Sequence, residues 1–506
     1  MNLYETLQHL SLTQPSTLAF SCPEGTLTYR DLETHSNALS VYLSTRFPHN
    51  NNPIVVYGHM EPEMIVSFLG AVKAGHPYIP VDASFPLDRV QHIITSSNAC
   101  LLIDLTNLSS TLEVNIPRLS DLAEWEHILT THQGQSLSSD YFVKEEDTFY
   151  IIYTSGSTGN PKGVQIPYFS LKSFTKWAIN DFSLVPFQHY LNQAPFSFDL
   201  SVMDLYPCLL TGGTLHALPK ELMIQPKKMF EYIQSSSLQI WTSTPSFVEY
   251  CLAEPKFSSE HFPTLHTFLF CGEVLSVSTA QLLTSRFPSA RIFNTYGPTE
   301  ATVAITAIEV TKDVLSTYDV LPIGQCKSDC EIRIVKEDGT LALENEKGEL
   351  VILGPSVGKG YLNEDEKNKH SFPLLDGKKA YKTGDAGYLH NGMLFYGGRM
   401  DLQVKVNGYR MEIEEIEHHL RDVSYVQSAI VIPIYKEGKC DYLTALFVAS
   451  SHSFEKDYQL VSAIKKELAK QIPSYMIPRT FVRKDSLPMT QNGKIDRKRL
   501  IQEVVK

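Results

Sequence analysis

Apolar and polar positions alternate in two patterns through the first four hundred residues of the chain. Short runs rich in β-branched and aromatic residues predict buried strands at residues 53–58, 99–104 and 148–153. Between the first two runs, apolar residues share one helical face, which predicts a helix over residues 62–74 that ends at Gly75. Strands alternating with helices predict the α/β fold class, with largely parallel sheets covered on both faces.

The pattern changes near residue 400. An alternating segment at 402–406 predicts a strand, Gly408 predicts a turn, and a helical pattern begins at Ile413. Two further strands at 429–435 and 442–449 and an amphipathic helix then follow. We therefore predict a large N-terminal domain of βα-layered sheets over residues 1–400 and a small, mobile α+β domain over residues 401–506.

Length and composition are typical of an enzyme with more than one core. The chain has 506 residues, 43% of them hydrophobic and 20% charged, which excludes a disordered or coiled-coil protein. The net charge of −12 argues against binding of nucleic acid. Eight scattered cysteines predict reduced thiols, and no apolar run is long enough for a membrane helix, the best candidate being interrupted by Lys73. We expect a cytoplasmic enzyme without membrane insertion.

Small hydroxyl residues and glycines crowd the segment that follows the third predicted strand, residues 153–163, YTSGSTGNPKG. Backbone N–H groups and hydroxyls in such a loop can surround a polyphosphate, and Lys162 adds positive charge. Neither a Walker motif nor a dinucleotide fingerprint fits the segment. By composition alone a flexible surface loop is the alternative.

This segment resembles the phosphate loop of the adenylate-forming superfamily, which includes acyl-CoA synthetases, luciferases and the adenylation domains of peptide synthetases. Further segments resemble the other motifs of that superfamily, in the same order along the chain. They are NTYGPTE at 294–300, YKTGD at 381–385, GGRMD at 397–401 and LPMTQNGKIDR at 487–497. Each is common as a turn or loop when taken singly, but their joint occurrence identifies the chain as a member of the superfamily.

The resemblance implies a role for each matching residue. Tyr296 would stack on the adenine, Thr299 would contact the α-phosphate, and Glu300 would hold Mg²⁺. Asp385 and Arg399 would bind the ribose. The full set implied around ATP or AMP is Thr154, Ser155, Gly156, Ser157, Thr158, Gly159, Lys162, Asn294, Thr295, Tyr296, Gly297, Pro298, Thr299, Asp385, Tyr396, Gly397, Gly398, Arg399 and Lys494.

The chemistry implied by the resemblance needs charge neutralisation rather than a protein nucleophile. A carboxylate attacks the α-phosphate of ATP, and Lys494, the implied catalytic residue, would bridge these two anions. The small domain would then rotate about Asp401, the implied hinge, so that a thiol can attack the acyl-adenylate. Gly408 would lie where the thiol arm approaches, because a side chain there would obstruct it.

The segment FDLS at 198–201 indicates the kind of acid. In amino-acid-activating relatives the matching aspartate, here Asp199 beside Phe198, binds the α-ammonium group of the substrate. An unpaired carboxylate facing an apolar pocket is costly, so Asp199 favours a cationic substrate. An aspartate that caps the following turn is the alternative.

Cys271 stands where amino-acid-activating relatives usually have glycine. The resemblance within the superfamily is to the ligases of Gram-positive bacteria that load D-alanine onto a separate carrier protein. In them this cysteine selects D-alanine and the residue matching Val303 lines the methyl pocket, while Lys494 also contacts the substrate. The alternative for Cys271 is a small buried hydrophobic residue.

The resemblance therefore implies ATP, Mg²⁺, D-alanine and a separate carrier with a phosphopantetheine thiol as partners. It also implies a supply of D-alanine to teichoic acid in the cell wall. Another amino-acid or small-acid adenylating ligase that uses coenzyme A or a different carrier remains an alternative, as does an adenylate-binding sensor without catalytic activity.

Overall fold

A computed structural model describes residues 2–106, 112, 114–156, 159–436, 438–488 and 495–504. The chain divides into two compact units. The first comprises residues up to 83, 94–153 and 163–400, and the second comprises residues 84–93, 154–162 and 401–506. The predicted fold class, α/β with a large N-terminal part and a smaller C-terminal part, is confirmed.

Parallel strands form most of a large sheet in the first unit. In the described residues its strands are β1 (Leu18–Cys22), β2 (Gly25–Thr28), β9 (His189–Asn192), β10 (Thr214–Ala217), β11 (Ile240–Ser243), β12 (Thr267–Phe270), β13 (Arg291–Tyr296), β14 (Thr306–Glu309) and β15 (Gln325–Cys326). Their order is β15-β14-β13-β12-β11-β9-β10-β1-β2, and β9 to β13 run parallel. The carboxyl ends of β9, β12 and β13 therefore meet at one edge, where the segments that carry Asp199, Cys271 and Glu300 begin.

A second, largely parallel sheet contains the strands that the apolar runs predict. Its strands are β3 (Ile54–Gly58), β4 (Tyr78–Asp82), β5 (Leu101–Asp104), β6 (Arg118–Leu119), β7 (Thr148–Thr154), β8 (Lys162–Pro167) and β18 (Gly360–Tyr361). The order among the described strands is β18-β8-β7-β4-β3-β5-β6. The three predicted strands are thus confirmed as β3, β5 and β7.

A third sheet of the first unit is antiparallel, which the sequence pattern did not predict. Its strands are β16 (Glu331–Val335), β17 (Gly348–Leu353), β19 (Leu374–Leu375), β20 (Lys378–His390) and β21 (Met393–Arg399). Asn391 and Gly392 join β20 to β21 with φ of 50° and 74°. Consecutive positive φ values are typical of a two-residue hairpin turn, which pairs neighbouring strands in antiparallel fashion.

Helices cover the faces of the two parallel sheets. Those that begin in the first unit are α1 (Leu3–Thr13), α2 (Tyr29–Arg46), α3 (Pro62–Lys73), α5 (Leu122–Thr131), α6 (Tyr168–Asp181), α7 (Leu200–Thr211), α8 (Lys220–Met223), α9 (Pro226–Ser235), α10 (Pro245–Leu252), α11 (Val277–Arg286), α12 (Lys312–Thr317) and α13 (Asp365–Ser371). Helix α4 (Leu87–Ser97) begins in the second unit and ends in the first. Short 3₁₀ helices lie at Ser139–Tyr141, Thr299–Ala301 and Ser474–Met476.

The second unit has its own apolar core. Its elements are β22 (Gln403–Val406), β23 (Tyr409–Glu412), α14 (Ile413–Asp422), β24 (Val426–Lys436), β25 (Lys439–Ala449), α15 (Asp457–Leu468), β26 (Thr480–Arg483) and α16 (Arg497–Val504). Ile416, Leu420, Ile464 and Leu468 pack in this core on the helical faces that their spacing predicts. The elements predicted after residue 400 are therefore present.

Lys73 is a buried cation at the end of α3. Its Nζ donates hydrogen bonds to Glu33 Oε2 at 2.8 Å, Ser36 Oγ at 2.9 Å and Asn37 Oδ1 at 2.8 Å, all on α2. Burial lowers the pKa of Lys73, and the Glu33 carboxylate opposes that shift.

In the described part of the chain, every helix is too short or too polar to cross a bilayer.

The Lys73 site predicts a large loss of stability on substitution. Lys73→Met leaves the Glu33 carboxylate, 13% exposed, without its cation, and we expect the free energy of unfolding to fall by about 3 kcal/mol. Lys227→Met is the matched control, because Lys227 and Glu231 are 90% and 63% exposed and their pair contributes at most about 0.5 kcal/mol. Urea unfolding followed by tryptophan fluorescence measures both; equal effects would contradict the prediction.

Candidate active site

Tyr296, Asp385 and Arg399 form a hydrogen-bonded group in the first unit. The Tyr296 hydroxyl donates to Asp385 Oδ2 at 2.6 Å, and Arg399 Nη1 donates to Asp385 Oδ1 at 2.8 Å. Arg399 also donates to the backbone oxygen of Thr383 at 2.8 Å. Asp385 lies directly opposite Arg399 in the β20–β21 pair, so strand register fixes their proximity.

Burial and then the negative charge of Asp385 raise the pKa of Tyr296 well above its ordinary value, so Tyr296 remains a neutral donor. Its ring centroid lies 6.1 Å from that of Tyr396, with the planes inclined at 39°. Gly397 and Gly398 follow Tyr396 where the register of β21 against β20 shifts. Such a bulge is common beside active sites, because it changes the direction of neighbouring side chains.

The other polar side chains at the end of β13 donate hydrogen bonds to backbone oxygens. Asn294 Nδ2 donates to the backbone oxygen of Pro322, and the Thr295 hydroxyl donates to that of Phe270, both at 2.8 Å. Both residues are buried. They therefore fix the end of β13 from which the NTYGPTE segment continues.

The segment after Glu300 holds a strained turn. Thr302 and Val303 have φ of 59° and 69°, and the N–H of Ala304 donates to the backbone oxygen of Thr302 at 2.8 Å. Val303 is thus the central residue of a γ-turn, a rare conformation for a β-branched residue. A Cβ on Gly297 would lie 2.5 Å from the Cα of Ala304, which explains the glycine in the motif.

Cys271 lies against this turn. It follows β12, is 4% exposed, and its thiol donates to the backbone oxygen of Val303 at 3.7 Å. A strained backbone conformation persists only where surrounding contacts hold it in place. Residues with strained backbone are common in active sites and ligand-binding sites. The structure therefore brings Cys271, which the resemblance implies selects D-alanine, next to Val303, which the resemblance implies lines the methyl pocket.

Asp199 immediately precedes α7 but does not cap it by a side-chain hydrogen bond within the described helix. This observation counts against the capping alternative. Asp199 and Phe198 are half-buried. Burial, with smaller effects from Tyr78 and the charge of Asp199, raises the pKa of Tyr150, whose buried hydroxyl has no hydrogen-bond partner among the described residues. Asp199 is thus close enough to Tyr150, on β7, to act on it electrostatically.

Glu300 is fully buried in the 3₁₀ helix Thr299–Ala301, directly after Pro298. In the described residues, no group of three or more His, Cys, Asp or Glu side chains is arranged for a metal ion. Mg²⁺ is often held by one or two carboxylates plus the phosphates of its substrate. A single buried carboxylate such as Glu300 fits that mode of binding.

The phosphate-loop segment belongs to the second unit. Thr154 ends β7 and Lys162 begins β8. A Cβ on Gly156 would lie 2.1 Å from the backbone oxygen of Asn160, and Gly159 has φ of 89°, so both positions need glycine. The Ser155 hydroxyl donates to the backbone oxygen of Arg410 at 3.1 Å. Ser157, Thr158 and Lys494 lie outside the described residues.

The predicted hinge and thiol-arm residues also lie in the second unit. Asp401 Oδ1 accepts a hydrogen bond from the N–H of Gln403 at 3.0 Å, at the start of β22. Asn407 and Gly408 have φ of 51° and 84° and form the turn between β22 and β23. The turn predicted at Gly408 is therefore present; the roles of Asp401 and Gly408 stay predictions.

Two features of the site had no signal in the sequence. Tyr361, far along the chain from Glu300, donates its hydroxyl to that carboxylate at 2.7 Å. Thr383 binds both the backbone of Leu350 and the N–H of Asp385 through its hydroxyl. The contacts of Tyr361 with Glu300 and of Thr383 with Leu350 join residues that are distant along the chain, whereas Thr383 and Asp385 are two residues apart on β20.

Comparison with known proteins identifies the family to which the chain belongs. Residues 7–362 match the family model of the AMP-binding enzymes, and residues 415–494 match that of the AMP-binding enzyme C-terminal domain. The chain is 55% identical over 505 residues to a D-alanine–D-alanyl carrier protein ligase of Bacillus cereus strain AH187, with 100% of both chains covered. It is 55% identical over 504 residues to the one of Bacillus anthracis strain CDC 684, also with 100% of each covered.

Solved structures show the same fold. The Vibrio cholerae adenylation domain AlmE, in complex with glycyl-adenosine-5′-phosphate, matches with a TM-score of 0.83 and 24% identity over 99% of this chain and 96% of that one. The o-succinylbenzoate CoA synthetase of Bacillus subtilis matches with a TM-score of 0.84 and 19% identity over 98% of each chain.

The chain belongs to the AMP-binding, adenylate-forming enzymes, and it is an AMP-forming ligase. Within that class it belongs to the family of D-alanine–D-alanyl carrier protein ligases.

The Asp385 group predicts how the enzyme distinguishes nucleotides. If Asp385 binds the ribose hydroxyls, ATP should bind at least about tenfold more tightly than 2′,3′-dideoxy-ATP, because hydrogen bonds to a charged group contribute about 1.5–3 kcal/mol. Asp385→Asn should abolish most of that preference. Isothermal titration calorimetry measures both affinities.

Tyr296→Phe is the control for this prediction. It removes a hydroxyl that donates to Asp385 but keeps the aromatic ring, the carboxylate and the Arg399 donor, so the preference for ATP over the dideoxy nucleotide should fall less than in Asp385→Asn. An unchanged preference in Asp385→Asn would show that the ribose binds elsewhere.

Proposed function

We propose that this chain activates D-alanine with ATP and transfers the D-alanyl group to the phosphopantetheine thiol of a separate carrier protein. The match to D-alanine–D-alanyl carrier protein ligases carries this proposal, because it spans both chains from end to end at 55% identity. The position of the Cys271 thiol against the Val303 backbone supports the choice of D-alanine. The loaded carrier would supply D-alanine to teichoic acid.

The first reaction joins two anions. A carboxylate oxygen of D-alanine attacks the α-phosphorus of ATP and forms a phosphorus–oxygen bond, while the bond to the departing pyrophosphate breaks. Asp199 would hold the ammonium group of the substrate, and Lys494 would lie between its carboxylate and the α-phosphate. These contacts orient the reacting atoms and neutralise charge, which are the main needs of phosphoryl and nucleotidyl transfer.

Glu300 would hold Mg²⁺, which when bound neutralises phosphate charge and polarises the α-phosphate. Asp385 and Arg399 would hold the ribose, and the phosphate-loop segment with Lys162 would bind the departing phosphates. In the second reaction the sulfur of the carrier's thiol attacks the carbonyl carbon of D-alanyl-adenylate. The thiol gives up its proton and AMP leaves.

Cys271 would choose between the enantiomers by its volume. Its sulfur lies beside the strained backbone at Val303. In the proposed site the thiol would close the pocket wall on one side of the substrate's α-carbon. Whether such a wall accepts or rejects one methyl group changes the free energy of binding by about 1–3 kcal/mol. Replacement by glycine, the residue that amino-acid-activating relatives usually have at this position, would open that wall.

ATP–pyrophosphate exchange, measured without a carrier, tests the choice of substrate. The wild-type enzyme should exchange fastest with D-alanine among D-alanine, L-alanine, glycine, D-serine and acetate. Cys271→Gly should reduce the preference for D-alanine over L-alanine by about tenfold or more. Fastest exchange with acetate or an L-amino acid would overturn the D-alanine assignment.

Cys251→Ala is the matched control for Cys271→Gly. Cys251 is also buried, but it lies in the core around α10, α11 and Trp241. The preference of this variant for D-alanine should equal that of the wild type. A wild-type preference in Cys271→Gly would contradict the steric role of the thiol.

A further inference from the structure

A tyrosine hydroxyl donates a hydrogen bond to the buried carboxylate of Glu300. Its side chain is fully buried, and its Oε1 accepts a hydrogen bond of 2.7 Å from the hydroxyl of Tyr361, which is 2% exposed. A hydrogen bond donated to an ionised carboxylate is about twice as strong as one between neutral groups. Within a dry interior it also fixes the direction in which the carboxylate points.

Tyr361 is itself held in place by Asn368 and Phe372. Asn368 accepts a hydrogen bond from the Tyr361 N–H at 2.7 Å and donates one to the Tyr361 backbone oxygen at 2.8 Å. The Tyr361 ring packs edge-on against Phe372 with centroids 5.3 Å apart. Gly360 has φ of 123°, and a Cβ there would lie 2.7 Å from Asn368 Oδ1. The backbone at Gly360 therefore leaves room for the Asn368 amide that binds Tyr361.

A second hydroxyl extends the hydrogen-bonded chain. Tyr381, which begins the YKTGD segment on β20, lies with its hydroxyl 3.3 Å from that of Tyr361. Because the Tyr361 hydrogen is directed to Glu300, Tyr381 is the donor in this second contact. The chain from Tyr381 through Tyr361 to Glu300 links the strand that carries Asp385 to the predicted ligand of Mg²⁺.

Hydrogen bonds to backbone oxygens connect residues 356–362 to the turn at Glu300 and to β8. The N–H of Gly358 donates a hydrogen bond to the backbone oxygen of Glu300 at 2.8 Å. The side-chain hydroxyl of Thr302 donates one to the backbone oxygen of Ser356, also at 2.8 Å. The N–H of Leu362 donates to the backbone oxygen of Gly163 on β8 at 2.8 Å. Residues 356–362 thus connect the turn at Glu300 to β8.

We propose that Tyr361 is a positioning residue for metal-dependent adenylation, and that its hydroxyl orients the Glu300 carboxylate toward Mg²⁺. The inference rests on the proposed function, because it assigns Tyr361 a role within that site. Groups that hydrogen-bond to a metal ligand typically change metal affinity or activity by about 10–100-fold when they are removed.

Tyr361→Phe tests the proposal, because it removes one oxygen atom and keeps the ring against Phe372. Binding of Mn²⁺, used as the probe metal, is measured by electron paramagnetic resonance with enzyme and α,β-methylene-ATP, so that no turnover is needed. We expect Mn²⁺ to bind about tenfold or more weakly than to the wild type. The Mg²⁺ concentration for half-maximal ATP–pyrophosphate exchange should rise by a similar factor, with the KM for D-alanine unchanged.

A double variant separates positioning from a general structural role. In Glu300→Gln, the further change Tyr361→Phe should weaken Mn²⁺ binding by less than about threefold, because the carboxylate that Tyr361 orients is gone. Tyr29→Phe is the matched control: it removes another buried hydroxyl, which donates to the backbone oxygen of Gly213 at 2.8 Å, and metal binding should stay as in the wild type.

If Tyr361→Phe does not fold, Asn368→Ala provides the second test, since it removes both hydrogen bonds to the Tyr361 backbone and should weaken Mn²⁺ binding in the same direction. Wild-type metal affinity in a folded Tyr361→Phe or Asn368→Ala variant would overturn the inference while leaving the proposed function intact. Absence of any metal-dependent exchange in the wild-type enzyme would instead overturn the proposed function.

Discussion

Burial of negative charge is the constraint on which the first unit's site depends. Glu300 is completely buried and Asp385 is 6% exposed, and a carboxylate removed from water is costly unless donors surround it. Tyr361 donates a hydrogen bond to Glu300, whereas Tyr296 and Arg399 donate hydrogen bonds to Asp385. Each carboxylate is therefore oriented before a substrate arrives, and the enzyme does not have to reorganise it during the reaction.

The parallel sheets explain why these groups lie together. The segments with Asp199, Cys271 and Glu300 all follow strands of one sheet at the edge where the carboxyl ends meet, the usual place for ligands in α/β proteins. The antiparallel third sheet adds Asp385 and Arg399 as directly opposed residues. The γ-turn at Val303 and the thiol of Cys271 then shape the wall that we assign to the methyl group of the substrate.

Local pattern was enough to predict part of this arrangement. Strands β3, β5 and β7 are continuous apolar runs, and α3 and α14 show helical spacing, so their physical cause lies within a few residues. The antiparallel sheet was missed, because its hairpin signal at Asn391 and Gly392 lies within a stretch interpreted as alternating strands and helices. The contact of Tyr361 with Glu300 has no local cause at all, since it depends on pairing between β18 and β8.

Some of the residues that the motifs single out lie together in the structure, although they are far apart along the chain. Tyr296, Asp385 and Arg399 lie in one hydrogen-bonded group, and Cys271 lies against Val303. The sequence could not indicate that the Asp199 side chain leaves α7 uncapped, because an aspartate before a helix is usually a cap.

The most direct test of the whole account is the fate of the alanyl group. The enzyme would be incubated with ATP, Mg²⁺, coenzyme A, a phosphopantetheinylated carrier protein and equal amounts of D-alanine and isotopically labelled L-alanine, and the products analysed by mass spectrometry. The account predicts a thioester on the carrier with the unlabelled D-alanyl group and none on coenzyme A. A labelled L-alanyl group on the carrier, or alanyl-coenzyme A as the main product, would contradict it.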